Sequence, residues 1–191
     1  MPDVLIIAEM KELMEKDVET YDHSIRMAGL AEVMASVLRL SDVQKSVLVH
    51  GCFYHDVGKL LVPDEILKKP SALTASEWAI MKYHPRLGAM ILKEYGTMLP
   101  EVIDIVLYHH ERWDGKGYPQ GRSGPDIPPF ARLCAIIDAF DCMTSDRPYR
   151  RGLTIRQAGE ELLKQAGTQF DPEYVSLFIR TFELNKLNQL T

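Results

Sequence analysis

The residues of this chain best suited to chemistry are its histidines and a few carboxylates near them. There are six histidines, and their placement is uneven. His55 stands directly before Asp56, and His109 and His110 are adjacent. His23 follows Glu19 by four residues, so the two share one face if the segment is helical. His84 closes a predicted helix just before Pro85, and Asp138 lies mid-helix between Ile137 and Ala139. A carboxylate in such an apolar run is expensive to bury unless it is paired or bound to a cation. Neutral imidazole and carboxylate are natural ligands for divalent Fe, Mn, Zn, Ni or Co. Two adjacent ligands at a helix end diverge, so the two pairs His55/Asp56 and His109/His110 suggest more than one metal ion. Two ions about 3.5–4 Å apart suit phosphoryl transfer, because together they activate water and clamp phosphate oxygens. Taken singly, each feature also has a plainer reading: a core histidine, a chance dipeptide, a surface i,i+4 pair or an internal cap.

The elements that must hold these residues read as helices. Val4 to Glu15 suits a short amphipathic helix and Glu19 to Leu40 a longer one. Ser41 or Asp42 caps a third, running to about His55, and Gly58 reads as a stop. Asp64 to Lys68 suits a single turn. Thr74 and Glu77 have capping-box spacing, and Pro85 fits the first turn of the following helix. Further helices are predicted over Pro100 to His110, Phe130 to Met143, Thr154 to Gln165, and from Pro172 onward. Between Asp114 and Pro129 the chain carries four glycines and four prolines, which predicts a long loop. Asp146 to Gly152 is a second, Arg-rich loop. No run of strand-like alternation appears, so the fold class is all-α.

Bulk properties narrow the partners. With 191 residues and 46% hydrophobic content, one domain with a sizeable core is expected. The net charge of -5 and the lack of any long Lys/Arg run argue against extended nucleic acid as a ligand. Three cysteines without a C-x-x-C predict thiols in a reducing compartment. Val4 to Ala8 is too short an apolar run to span a bilayer, so a cytoplasmic protein is expected.

Taken together, His55-Asp56-Val57-Gly58-Lys59, then His84, the run HHERWDGKGYPQG from His109 to Gly121, and DAFDCMTSDRPYR from Asp138 to Arg150 resemble the HD-GYP family, a subgroup of the HD phosphohydrolase superfamily. The resemblance extends from about Asp17 to Arg180. It implies a compact all-α helical bundle of the HD-domain type with a Gly/Pro-rich GYP loop. The implied division is residues 1–16 as an N-terminal helix or linker remnant, 17–184 as the phosphohydrolase domain, and 185–191 as a tail.

The implied activity is metal-dependent hydrolysis of cyclic di-GMP to pGpG, GMP or both. Alternatives are another cyclic dinucleotide or nucleotide as substrate, or a module that binds cyclic di-GMP without catalysis. The implied metal ligands are His23, His55, Asp56, His84, His109, His110 and Asp138, with Asp56 bridging two ions. Glu19 stands where some members carry a carboxylate for a third ion. The ions are two or three in number, iron first, with Mn, Ni, Co or Zn as alternatives. Lys59, Arg147 and Arg150 would hold ligand phosphates, and Tyr118 would stack or pack near a guanine. Asp141, one turn after Asp138, would orient a ligand or the attacking water. Cys142 stands where the family usually has Ala, which brings a thiol near the metals. A diguanylate cyclase or other signalling protein is the implied partner of the GYP loop. For residues 1–16, a linker remnant and a dimer helix that would make a homodimer are both open.

Overall fold

The structure is a computed structural model and describes residues 4–94, 96, 98–146 and 151–188; Arg147 and Arg150 lie outside the described residues. Among the described residues the chain forms α-helices, short 3₁₀ turns and loops, with a single β-bridge between Ala166 and Phe170 and no strand. The helices are α1 (Val4–Lys16), α2 (Val18–Val37), α3 (Asp42–Tyr54), α4 (Asp64–Leu67), α5 (Ala75–Met81), α6 (His84–Glu94), α7 (Pro100–Tyr108), α8 (Pro129–Thr144), α9 (Ile155–Gln165) and α10 (Pro172–Asn188). A 3₁₀ turn, Val57–Leu61, follows Asp56, and another, Gly124–Asp126, lies inside the long loop.

Local chemistry fixes several helix ends. Asp17 caps α2 by accepting from the Thr20 amide. Ser41 with Gln44, Thr74 with Glu77, and Thr154 with Gln157 each complete a reciprocal capping box. Gly167, at φ 79°, turns the chain after α9 in a conformation that other residues rarely adopt. Gly58 has a different task from the helix stop expected of it. A Cβ there would overlap the His84 carbonyl oxygen and the Gly88 nitrogen. Its hydrogen lets the turn after Asp56 lie directly on the start of α6, which brings His84 to Asp56.

The core is built where α2, α3, α7 and α8 pack together, and Met27, Met34, Leu48, Ile105, Leu133 and Ile137 are its buried centre. Helix α1 belongs to that core. Met10 and Leu13 are buried in it, and Lys16 Nζ donates to the carbonyls of Leu60 and Val62 at 2.7 and 2.6 Å. No helix of the described residues is long and apolar enough to cross a membrane.

Candidate metal centre

The candidate ligands come from helix ends that meet at one place. His55 follows the last turn of α3, His109 follows the last turn of α7, and His84 opens α6 just after α5 ends. The last carbonyls of a helix have no partner inside it. Here they orient the ligands. His55 Nδ1 lies 2.7 Å from the Cys52 carbonyl oxygen, His84 Nδ1 2.8 Å from that of Met81, and His109 Nδ1 2.8 Å from that of Val106. A carbonyl only accepts, so Nδ1 carries the proton in each ring. In a neutral imidazole Nε2 is then a bare lone pair, ready for a metal.

The Nε2 atoms converge. Those of His84 and His109 are 3.3 Å apart. Burial drives both rings toward the neutral form, lowering His84 to about 3 and His109 well below its ordinary range. Two neutral rings whose Nδ1 atoms already carry the protons cannot donate to each other, so these lone pairs face one another unsatisfied. Two nitrogens bound to one ion at about 2.0–2.1 Å would be separated by roughly this distance. His55 Nε2 is buried with no hydrogen-bond partner. Divalent cations are the partners these atoms fit.

Asp56 sits between two sets of rings. Its Oδ2 is 3.2 Å from His55 Nε2, and its Oδ1 is 3.2 Å from His84 Nε2. Lys59, one turn on, places Nζ 2.7 Å from Oδ2. Burial opposes ionisation of Asp56, but the Lys59 ammonium outweighs it and holds the carboxyl well below the usual range. Burial likewise opposes charge on Lys59, and Asp56 reverses that effect and raises it.

Three groups of ligand atoms result, each with all its atoms within 4.8 Å of one another: His84/His109/His110, His23/His55/Asp56 and His23/Asp138/Cys142. The structure therefore brings together seven of the eight metal ligands expected from sequence. Glu19 is the exception: it is exposed on the first turn of α2 and belongs to none of these groups. Cys142, expected only as a neighbour of the metals, joins one.

His23 reaches across from α2 to α8. Its Nε2 lies 3.1 Å from Asp138 Oδ1, and its Nδ1 lies 2.7 Å from Asp141 Oδ2. Burial lowers the pKa of this ring, but the two carboxylates prevail and lift it to about 9. Arg26, one turn after His23, grips both oxygens of Asp141 at 2.8 Å. Burial of Asp141 is likewise overcome, by His23 and Arg26, which hold its carboxyl at about 2. The clamp on Asp141 by Arg26 was not anticipated, although its i,i+3 spacing from His23 was a visible cue.

The GYP loop is ordered from below by Glu111. This buried carboxylate accepts from the amides of Gln120 and Gly121 at 2.7 and 3.1 Å. The Tyr118 amide donates to the His110 carbonyl at 3.2 Å, and its ring lies on the His110 ring with centroids 4.7 Å apart and planes at 33°. Lys82 Nζ is 6.0 Å from the Tyr118 ring centre. Burial, together with Asp56 and Asp138, pushes the Tyr118 phenol well up. Tyr118 thus forms part of the wall of the metal centre. Arg147 and Arg150, expected to contact phosphate, lie outside the described residues.

A family model described as HD domain matches residues 6–174. A 3'3'-cGAMP-specific phosphodiesterase of Vibrio cholerae is 39% identical over 86% of this chain and 32% of its own length. A cyclic di-GMP phosphodiesterase of Thermotoga maritima is 36% identical over 86% of this chain and 45% of its own length. The Xanthomonas campestris response regulator RpfG, named a cyclic di-GMP phosphodiesterase, is 35% identical over 92% of this chain and 50% of its own length. The chain thus spans between about a third and a half of the length of these curated relatives. Among solved structures, a cyclic GMP-AMP-specific phosphodiesterase of V. cholerae aligns with a TM-score of 0.71 at 20% identity, covering 94% of this chain and 48% of that one. The HD domain of the Listeria monocytogenes phosphodiesterase PgpH, solved with cyclic di-AMP, aligns with a TM-score of 0.67 at 24% identity, covering 96% of each chain. At those identities the structural likeness speaks for the fold. With its converging His/Asp ligands and its His109-to-Pro119 loop, the chain belongs to the HD-domain family, in its HD-GYP branch.

Proposed function

We propose that this domain is a metal-dependent phosphodiesterase that hydrolyses cyclic di-GMP to pGpG, GMP or both. The observation that carries the reading is the position of Asp56, with one carboxylate oxygen facing each of two imidazole sets. A carboxylate so placed would be held in common by two ions. His23, His55 and Asp138 would hold one ion, and His84, His109 and His110 the other. Glu19 stands apart from these sets, so the proposal takes two ions rather than three. Iron(II) is the first choice, with Mn(II), Ni(II), Co(II) and Zn(II) as alternatives for such N/O ligands.

When bound, the ions supply Lewis-acid charge and an activated water for in-line displacement at phosphorus. The protein's own groups do the rest. The carbonyl-tied imidazoles keep their lone pairs fixed on the centre. Lys59, already drawn in by Asp56, would hold a non-bridging phosphate oxygen. Arg147 and Arg150 would grip the second phosphate with their forked guanidinium groups. Tyr118 walls the side of His110 and would limit where a guanine base can lie.

The substrate choice is supported by relatives named as cyclic di-GMP phosphodiesterases. A second reading is 3'3'-cGAMP, because the relative at 39% identity is named as specific for it. Protein loaded with each metal without oxygen is incubated with cyclic di-GMP, 3'3'-cGAMP and cyclic di-AMP, and products are separated by chromatography. Cyclic di-GMP is expected to disappear fastest, and Asp56→Ala is expected to abolish turnover. Faster loss of 3'3'-cGAMP would reassign the substrate, and no turnover of any of the three would refute the enzyme reading.

A further inference from the structure

The third ligand group contains a residue that the hydrolytic reading does not use. Asp138 and Cys142 are four residues apart on α8, so both side chains leave the same face toward His23 on α2. Cys142 Sγ is 3.3 Å from Asp138 Oδ1, and Asp138 Oδ1 is 3.1 Å from His23 Nε2. The three ligand atoms all lie within 4.8 Å of one another. Sulfur at about 2.3 Å, nitrogen at about 2.0–2.1 Å and oxygen at about 2.0–2.2 Å from one ion would be separated by roughly 3–4 Å. The spacing therefore suits shared coordination with little movement. A second observation points to an ion at this end of the centre: His55 Nε2 is buried without a hydrogen-bond partner, and its ring centre is 5.1 Å from that of His23.

We propose that Cys142 is a sulfur ligand of the ion held by His23 and Asp138, and that it biases this position toward softer divalent ions. The proposal rests on the reading of the His/Asp cluster as a metal centre. On binding, the Cys142 S–H bond breaks, its proton passes to bulk water, and the sulfur lone pair binds the ion with no change of oxidation state. Thiolate favours Zn(II), Co(II) and Fe(II) over Mn(II) and Mg(II), which prefer oxygen ligands. The two positions then differ in kind: one all-nitrogen-and-oxygen set around His84, His109 and His110, and one with sulfur. Cys52 and Cys134 do not compete for this role, since both are buried in the hydrophobic core and belong to none of the ligand groups.

Cobalt(II) is the probe. Metal-stripped, reduced protein is titrated with Co(II) without oxygen. Absorption is recorded across the visible and near-ultraviolet, and bound cobalt is counted by equilibrium dialysis. The expected result is visible ligand-field bands together with a near-ultraviolet sulfur-to-cobalt charge-transfer band. That band should vanish in Cys142→Ser and Cys142→Ala, while cobalt still binds. Competition in the same variants should show the preference for Zn(II) over Mn(II) falling by about tenfold or more. Protection of Cys142 from iodoacetamide in cobalt-loaded wild-type protein, read by mass spectrometry, tests the assignment without a substitution.

Bound cobalt with ligand-field bands and no charge-transfer band would overturn the sulfur ligand and leave the metal centre standing. Cys142 would then only hydrogen-bond Asp138 beside the site. A charge-transfer band that persists in both variants would also overturn the assignment. No bound cobalt would overturn both this proposal and the metal reading beneath it.

Discussion

His23 has one ring nitrogen on Asp138 and the other on Asp141, and Arg26 holds Asp141 from its far side. The ring is fixed through both nitrogens, so the direction in which Nε2 would offer a lone pair, once a metal displaces its proton, is set by a carboxylate that is itself clamped. Arg26 touches no candidate ligand atom directly and acts as a positioning residue. Arg26→Ala is expected to weaken metal binding by about tenfold while helix content stays unchanged. Calorimetric titration with Mn(II), beside circular dichroism, checks this. A variant with wild-type affinity would show that Asp141 holds His23 unaided. The sequence places Asp141 one turn from Asp138 and Arg26 one turn from His23, but 118 residues separate His23 from Asp141. Local spacing shows which residues share a face and not which faces meet.

At the scale of elements, two short motifs decide where the site's walls stand. Glu77 caps α5 through Thr74 and pairs with Lys69 at 2.6 Å. The Lys69 ion pair first, then the Thr74 bonds, depress its pKa from 4.5 to about 2. A carboxyl whose folded pKa is lowered stabilises the fold above its ordinary pKa and loses that stabilisation as pH falls toward the depressed value. The start of α5 should therefore loosen between about pH 4.5 and 2. Glu77→Gln keeps a capping side chain but not the ion pair. It should remove this pH dependence, read from amide exchange along α5.

The GYP loop depends on Gly117 in a different way. A Cβ there would overlap the backbone of His110, Glu111 and Arg112. Gly117→Ala should destabilise the fold by about 1–3 kcal/mol through overpacking. It should also speed exchange of the Tyr118 amide, which donates to the His110 carbonyl. Denaturant unfolding and hydrogen exchange give the two readings, and unchanged Tyr118 protection would count against this role. The glycine-rich composition of the loop was plain in the sequence, whereas the close approach at Gly117 appears only once the loop folds back on His110.

For the molecule as a whole, the unexpected element is α1. From sequence, residues 1–16 suggest a linker remnant or a dimer helix. In the structure Leu13 is fully buried, and Lys16 ties the end of α1 to the segment after the Asp56 turn. Leu13→Ala is expected to cost about 2–5 kcal/mol, measured by denaturant unfolding. A loss below about 0.5 kcal/mol, typical of surface positions, would return α1 to the role of an appendage. Through Lys16, α1 also braces the segment that carries Asp56 and Lys59, so loosening it should reach the metal centre.

The sequence by itself determined the candidate metal ligands, the helix ends that carry His55 and His109, and where the long loop lies. Those features are written in spacings of three and four residues, in capping pairs, and in glycine and proline, all of which act locally. His84, expected to close a helix, instead opens α6. Tertiary structure alone decided that Asp56 offers one oxygen to each histidine set, that Glu19 faces solvent apart from them, and that Cys142 reaches His23 and Asp138. The physical reason is distance along the chain: side chains far apart in sequence meet only after the hydrophobic faces of α2, α3, α7 and α8 have packed.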